Sequence, residues 1–207
     1  MRKVAIVGPE SSGKTTLCES LAEHYAAPWV EEYAREHLTQ RNGIYVEEDL
    51  RAIAGLQHDI GLMRVSDGWR RHEAVYATMR PHHDPLDEAP GMKIPEMPLV
   101  LFDTDMITIM IWSREKFGRV HPQIEEFVRE THYDHWLLCR PDIPWEADPL
   151  RENPHDRDRL FKVYERTLKL MEKPYTIIQG DRRERSETAI ATIDRLIDSD
   201  PVKMREL

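Results

Sequence analysis

The chain has 207 residues, 40% hydrophobic and 32% charged, with a formal net charge of −9. That length allows one domain with a full core, and the acidic balance argues against a general duplex-binding face, which needs a basic surface. No apolar run approaches a membrane span and the first strand begins almost at residue 1, so neither a transmembrane helix nor a signal peptide is expected.

Val4-Ala5-Ile6-Val7 reads as a buried strand. Directly after it comes Gly8-Pro9-Glu10-Ser11-Ser12-Gly13-Lys14-Thr15, which fits G-x-x-x-x-G-K-[ST], and then Leu17, Leu21 and Tyr25 mark one face of a helix. Strand, glycine loop and helix together identify a phosphate-binding loop. Gly8 and Gly13 let the backbone turn close to an anion. The N–H groups from Glu10 through Thr16 and the helix N-terminus point at phosphates. Lys14 brings a cation to the β- and γ-phosphates, and Thr15 offers a hydroxyl to Mg²⁺.

Trp29 and Val30 end a second strand, leaving Glu32, Tyr33 and Arg35 at its C-terminal edge, where open α/β sheets bind ligands. A solvated helix start accounts for these three equally well. Leu50, Ile53, Ala54 and Ile60 give helical spacing from Val46 to Met63, with Gln57 near the stripe as either a core amide or a substrate contact. Residues 65–98 read as an insertion whose first part can extend the helix and whose proline-rich second part is irregular. His82-His83-Asp84 within it invites a metal, but no third ligand at helical spacing supports one.

Leu99-Val100-Leu101-Phe102 is a third buried strand, ending in Asp103-Thr104-Asp105. Acidic residues beyond such a strand hold Mg²⁺ or a substrate hydroxyl, unless they only cap the following helix. Helices follow from Ile107 and from Pro122, and Trp136-Leu137-Leu138-Cys139 is the fourth strand. Cys18 and Cys139, the two cysteines, are too few for a structural zinc site and fit free, buried thiols in a reducing cytoplasm.

Residues 140–159 read as a lid: Pro141, Pro144 and Pro149 exclude a regular helix early on, and Arg151, Arg157 and Arg159 supply forks for phosphate oxygens. A salt-bridged surface is the plainer account of those arginines. An amphipathic helix from Leu160 to Met171, a fifth strand at Tyr175–Ile178 and a last helix through Ala189, Ile193 and Ile197 complete the chain. Strands alternating with helices imply one α/β domain over 1–207, a three-layer α/β/α fold with a five-stranded parallel sheet.

Four blocks now stand together: the 8–15 loop, Glu32-Tyr33-Ala34-Arg35, Asp103-Thr104-Asp105, and Pro144-Trp145-x-x-Asp148-x-x-Arg151. In this order and over nearly the whole chain they resemble the ribosylnicotinamide kinase domain of NadR-type NAD-salvage proteins. The resemblance implies a nucleoside-kinase-like fold that transfers phosphate from ATP, with Mg²⁺, to the 5′-hydroxyl of nicotinamide riboside, giving nicotinamide mononucleotide. It puts the riboside near Glu32, Tyr33, Arg35, Asp103 and Asp105, with Tyr33 and Trp145 to stack on the cationic nicotinamide ring. It makes Lys14, Glu32, Asp103, Arg151 and Arg157 the catalytic set. Within that set Glu32 is favoured as base and Asp103 as a Mg²⁺ holder through water, while Asp105 holds ribose hydroxyls or caps a helix. The implied partner is a small molecule, with no nucleic acid or membrane, and a homo-oligomer stays open. The likeness is to the last domain of larger NadR proteins, and 207 residues leave no room for their adenylyltransferase or DNA-binding parts. The 65–98 stretch is longer than the family usually shows. Two other readings compete: a kinase for another nucleoside, and a regulatory ATPase. A GTPase is disfavoured because Cys139-Arg140-Pro141-Asp142 stands where a guanine-reading element belongs, and an AAA-type motor would end its acidic strand in Asp-Glu and carry a second helical domain.

Overall fold

The computed structural model describes residues 1–79 and 98–198, with side chains for all of these except 71–79. In chain order the elements are β1 (Arg2–Val7), α1 (Lys14–His24), β2 (Trp29–Val30), α2 (Ala34–Gln40), α3 (Glu47–Met79) and β3 (Leu99–Asp103). There follow α4 (Met106–Phe117), α5 (Pro122–Glu130), β4 (His135–Cys139), α6 (Arg157–Leu170), β5 (Tyr175–Ile178) and α7 (Arg182–Asp198). All five strands are parallel, in the order β2-β3-β1-β4-β5. The expected three-layer fold is therefore the observed one.

Period-two alternation along β1 divides the core. Ala5 and Val7 join Val100, Phe102, Trp136 and Leu138 on the face covered by α3, α4, α5 and α6. Val4 and Ile6 join Leu101, Leu137 and Cys139 on the face covered by α1 and α7. Because both faces are buried, the strands read as continuous apolar runs. Cys18 and Cys139 are free and buried in the second of these layers.

Two sequence expectations need correction here. Of the readings of 65–98, the helical extension of its first part is the one seen: α3 continues unbroken to Met79, so an irregular stretch does not begin at residue 65. Two glycines show how that helix sits: a Cβ on Gly61 would lie 3.2 Å from Phe102 Cε1, and one on Gly68 2.9 Å from Val100 Cγ2. Seven residues apart, they fall on one face and let α3 lie close on β3. The roughly 1 kcal/mol of helix propensity that each glycine costs is offset by that packing. The His82-His83-Asp84 cluster lies outside the described residues.

The second correction concerns Asp105, expected to touch substrate hydroxyls or to cap a helix. It is the N-cap of α4: its Oδ1 accepts from Thr108 N at 2.8 Å and from Thr108 Oγ1 at 3.0 Å. Its Oδ2 accepts from Trp136 Nε1 at 2.7 Å, and the residue is fully buried. Both oxygens are thus occupied beneath the sheet edge, and the cap reading holds. Asp105→Ala removes the cap and strands the buried indole N–H, so it should lower unfolding free energy by about 2–4 kcal/mol. Urea denaturation measures this, and a loss below about 0.5 kcal/mol, the size of an ordinary surface effect, would contradict it.

Candidate active site

The site begins where β1 ends. Gly8 has φ +144°, and a Cβ there would sit 2.6 Å from the main-chain oxygen of Cys139, so a side chain is barred by β4 itself. Gly13, at φ +79°, is the N-cap of α1 and has no side chain to occupy the first-turn N–H groups. Those amides and the positive end of α1 are therefore left to the loop. Within the loop, Ser12 Oγ donates to Pro9 O at 2.7 Å and Lys14 Nζ donates to the same carbonyl at 3.0 Å. The lysine thus arches over the space a phosphate chain would fill.

β3 lies directly beside β1, with Ile6 in register with Asp103. That pairing delivers Asp103 to the first turn of α1, where Thr15 Oγ1 donates to Asp103 Oδ2 at 2.6 Å. The bond uses the hydroxyl proton and leaves the Thr15 oxygen's lone pairs for another partner. Asp103 Oδ1 is buried with no hydrogen-bond partner among the described residues. Burial raises the Asp103 pKa, and the Lys14 ammonium and the Thr15 bond oppose that rise. Hard oxygens with spare capacity fit Mg²⁺, which keeps most of its shell for water and phosphate oxygens. An all-protein cage does not occur: among the described residues no group of three or more His, Cys, Asp or Glu could hold a metal. Thr104, which links the two aspartates, sits at φ +100°, a strained conformation for a β-branched residue. That twist sends Asp103 toward the loop and Asp105 into the core.

Glu32 stands beyond β2 on a turn held by Gln57. The buried Gln57 donates from Nε2 to Glu31 O at 3.0 Å and accepts from Tyr33 N at 2.7 Å. Gln57 is therefore the core amide of the two alternatives, bracing the backbone on both sides of Glu32. Burial raises the Glu32 pKa, the Lys14 charge pulls it down, and Asp103 pushes it up again. These groups therefore share one electrostatic neighbourhood. Glu32 and Arg35 line a single cleft together with the whole 8–16 loop. Its far wall comes from α4 and α6, through Thr108, Trp112, Glu115 and Tyr164.

Neither of the two expected aromatic residues lines the cleft. The Tyr33 ring packs beside His37, centroids 6.2 Å apart, and the cleft wall at this point is Glu32, Ala34, Arg35 and Leu38. Trp145 also stands outside the lining; its ring carries the guanidinium of Arg157 at 5.6 Å and that of Arg151 at 5.9 Å. Both arginines are thus prepositioned on an aromatic platform. Arg151 donates to Glu146 O, and Arg157, the first residue of α6, donates to Ser11 O at 3.0 Å and Ile143 O at 3.1 Å. Arg159 is different: it pairs with Glu115 and Asp156 on the surface, the plainer of the two accounts.

The 140–159 segment is tied down by groups whose side chains the sequence did not connect with it. Glu10 accepts from the backbone N–H of Glu152 and of Asn153, the latter at 2.9 Å. Ser11 Oγ accepts from Glu146 N at 2.9 Å, and Arg35 Nη1 donates to Asp148 Oδ2 at 2.8 Å. The residue that sequence reasoning missed is Arg185, 5% exposed. It donates to Ser12 O at 2.9 Å, Gly180 O at 2.9 Å and Arg140 O at 2.6 Å, and it pairs with Asp142. One guanidinium thereby locks the phosphate loop to the ends of β4 and β5. A signal was present: Arg185 falls on the apolar stripe Ala189, Ile193, Ile197, where an unpaired charge would be costly.

Comparisons with known proteins bear on this geometry. The chain is 28% identical over 177 residues to the trifunctional NAD biosynthesis/regulator protein NadR of Salmonella typhimurium, covering 86% of this chain and 37% of that protein. The Escherichia coli NadR is likewise 28% identical, over 159 residues, and the chain spans about a third of the length of these relatives, 37% and 33%. Among solved structures, NadR protein in complex with NR superposes with a TM-score of 0.67 at 20% identity, over 97% of this chain and 52% of that one. Deoxyadenosine kinase from M. mycoides with bound dATP gives 0.55 at 11% identity, over 94% and 100%. These likenesses support the fold. The model of the AAA domain family matches residues 3–65 and 87–185. That match spans most of the chain, and the chain belongs to the AAA domain family.

Proposed function

We propose that this chain is an ATP-dependent kinase that phosphorylates the 5′-hydroxyl of nicotinamide riboside to give nicotinamide mononucleotide. The observation that carries the proposal is the cleft itself: a phosphate loop with its lysine and a buried-side carboxylate, Glu32, open onto one space with room beyond the loop for a second substrate. A phosphate loop that only switches or hydrolyses has no need of that second half. Residues 140–159 act as the lid of this kinase domain.

The loop amides and Lys14 hold the ATP phosphates, Lys14 exchanging the Pro9 carbonyl for phosphate oxygens. Thr15 and Asp103 are the residues that would hold Mg²⁺, which neutralises charge on the phosphate oxygens when bound. The riboside lies between α2, α4 and α6, with Glu32 at its 5′-hydroxyl. The hydroxyl oxygen forms a bond to the γ-phosphorus as the bond from phosphorus to the β,γ-bridging oxygen breaks. The hydroxyl proton goes to Glu32, and ADP leaves with the bridging oxygen. Arg151 and Arg157 meet the charge on the transferring group, and their platform on Trp145 reduces the ordering each must undergo. Nicotinamide riboside carries a positive ring, and the acidic wall of Glu10, Glu32 and Glu115 with the aromatic faces of Trp112 and Tyr164 suits it. The NadR relatives, and the NadR protein solved in complex with NR, point the same way.

A panel of kcat/KM values for nicotinamide riboside, adenosine, cytidine and thymidine tests the substrate. Nicotinamide riboside is expected to lead by at least tenfold, about 1.4 kcal/mol of transition-state preference; an ordinary nucleoside leading by that margin contradicts it.

The two carboxylates should fail differently. Glu32→Gln is expected to lose about 10²-fold or more in kcat with Mg²⁺–ATP binding intact, whereas Asp103→Asn shifts the Mg²⁺ midpoint to higher concentration. Because burial raises the Glu32 pKa, the protonated, inactive form persists to higher pH than for an ordinary glutamate. The rate of the parent protein should climb with pH through that raised value, and Glu32→Gln should lose this limb. Single-turnover rates and metal titrations read both; Asp103→Asn losing rate at an unchanged Mg²⁺ midpoint, with Glu32→Gln active, would exchange the roles.

A further inference from the structure

Seven large hydrophobic side chains are exposed among the described residues, and four stand on α3: Leu56 at 42%, Leu62 at 59%, Met63 at 67% and Trp69 at 47%. The opposite side of the same helix is buried through Leu50, Ile53, Ala54 and Gln57, so the exposed side faces away from the core. At 100° per residue, Leu62 and Trp69 form one apolar stripe, and Leu56 and Met63 a second about 100° around. Between the stripes lie Gly55 and Ser66, which are small, and Asp59 and Arg70, which carry opposite charges. Trp69 is too large and too apolar to be ordinary solvent-facing decoration on a helix, and a two-striped apolar face is a sign of an interaction surface.

The charges say which partner fits. Asp59 and Arg70 are eleven residues apart, about three turns, so they lie on nearly the same line of the helix. An antiparallel copy of the same helix, related by a two-fold axis between residues 64 and 65, sets Asp59 against Arg70 twice. The same axis brings each stripe against its own copy, Leu62–Trp69 on one side of the charged line and Leu56–Met63 on the other. Trp69 then falls beside Leu62 of the other copy and Met63 beside the other copy's Met63, while Gly55 and Ser66 permit close approach. Charge register and apolar register are satisfied by one axis. We propose that α3 is the interface of a two-fold homodimer in which the α3 helices pair antiparallel about residues 64–65. The pairing is isologous, as closed dimers are, and does not depend on the substrate of the cleft.

Light scattering on a sizing column, followed by sedimentation equilibrium, tests this on the whole chain. The parent protein is expected at twice the 24.4 kDa of one chain. Asp59→Arg opposes two arginines at each end of the pairing and should weaken the dimer by about tenfold or more, since facing like charges are strongly disfavoured at interfaces. Arg70→Asp should do the same. The double swap, Asp59→Arg with Arg70→Asp, restores both pairs and should recover dimerisation to within about threefold of the parent, the mark of coupled partners. Trp69→Ser should give a monomer. A parent protein that stays monomeric at about 100 μM, a concentration that populates even weak dimers, overturns the proposal. So does a dimer insensitive to all these substitutions, or a double swap no better than the single changes; the last two outcomes would mean another surface or another register.

Discussion

The pairing of β3 directly against β1 is the constraint on which the cleft depends. With Ile6 opposite Asp103, the acidic end of β3 can arrive nowhere but beside the first turn of α1. The 2.6 Å bond from Thr15 to Asp103 follows from that register, and so does the spare, buried Oδ1. A one-residue slip would turn Asp103 to the other face of the sheet and break the arrangement. Gly8 fixes the loop from the other side, since only a residue without Cβ passes the Cys139 carbonyl. Arg185 then closes the ring by binding carbonyls from the loop and from both of the strands beyond it.

Three carboxylates near the sheet edge show how environment assigns roles to like groups. Asp105 is saturated by Thr108 and Trp136 and serves the fold. Asp103 keeps one oxygen bonded and one free, which suits a cation. Glu32 has burial raising its pKa and Lys14 lowering it, the setting expected of a group that takes a proton. The strained Thr104 separates the first two, so a single residue of unusual φ turns one carboxylate toward the phosphate loop and the other into the core. The 140–159 segment repeats this economy. Trp145, Glu10 and Ser11 hold it by stacking and by main-chain hydrogen bonds, with the Arg151 and Arg157 guanidinium groups on the Trp145 ring.

Much of this was legible in the sequence because its physics is local. The strands announced themselves since a parallel sheet buries both faces, and the glycine loop carries its own geometry in Gly8 and Gly13. The Asp103/Asp105 ambiguity could not be resolved from spacing, because the choice depends on Trp136, thirty-one residues after Asp105. Trp145 and Tyr33 were expected against a substrate ring since an aromatic residue beside a site looks the same whether it faces ligand or protein. Trp145 instead faces arginines, and Tyr33 packs on His37. The continuation of α3 was obscured by Gly61 and Gly68, which lower helix propensity and reveal their packing role only against Phe102 and Val100. Arg185 was hidden by its distance in sequence from every group it binds except Gly180.

The central claim is that phosphate leaves ATP for a riboside held in the same cleft. Product stoichiometry tests it most directly: ADP and phosphorylated nicotinamide riboside are quantified together by mass spectrometry for the parent protein and for Lys14→Ala. The account predicts one phosphorylated riboside per ADP in the parent and neither product above background in the variant, with its fold retained. ADP formed without phosphorylated riboside, or undiminished transfer by Lys14→Ala at saturating ATP, would contradict it.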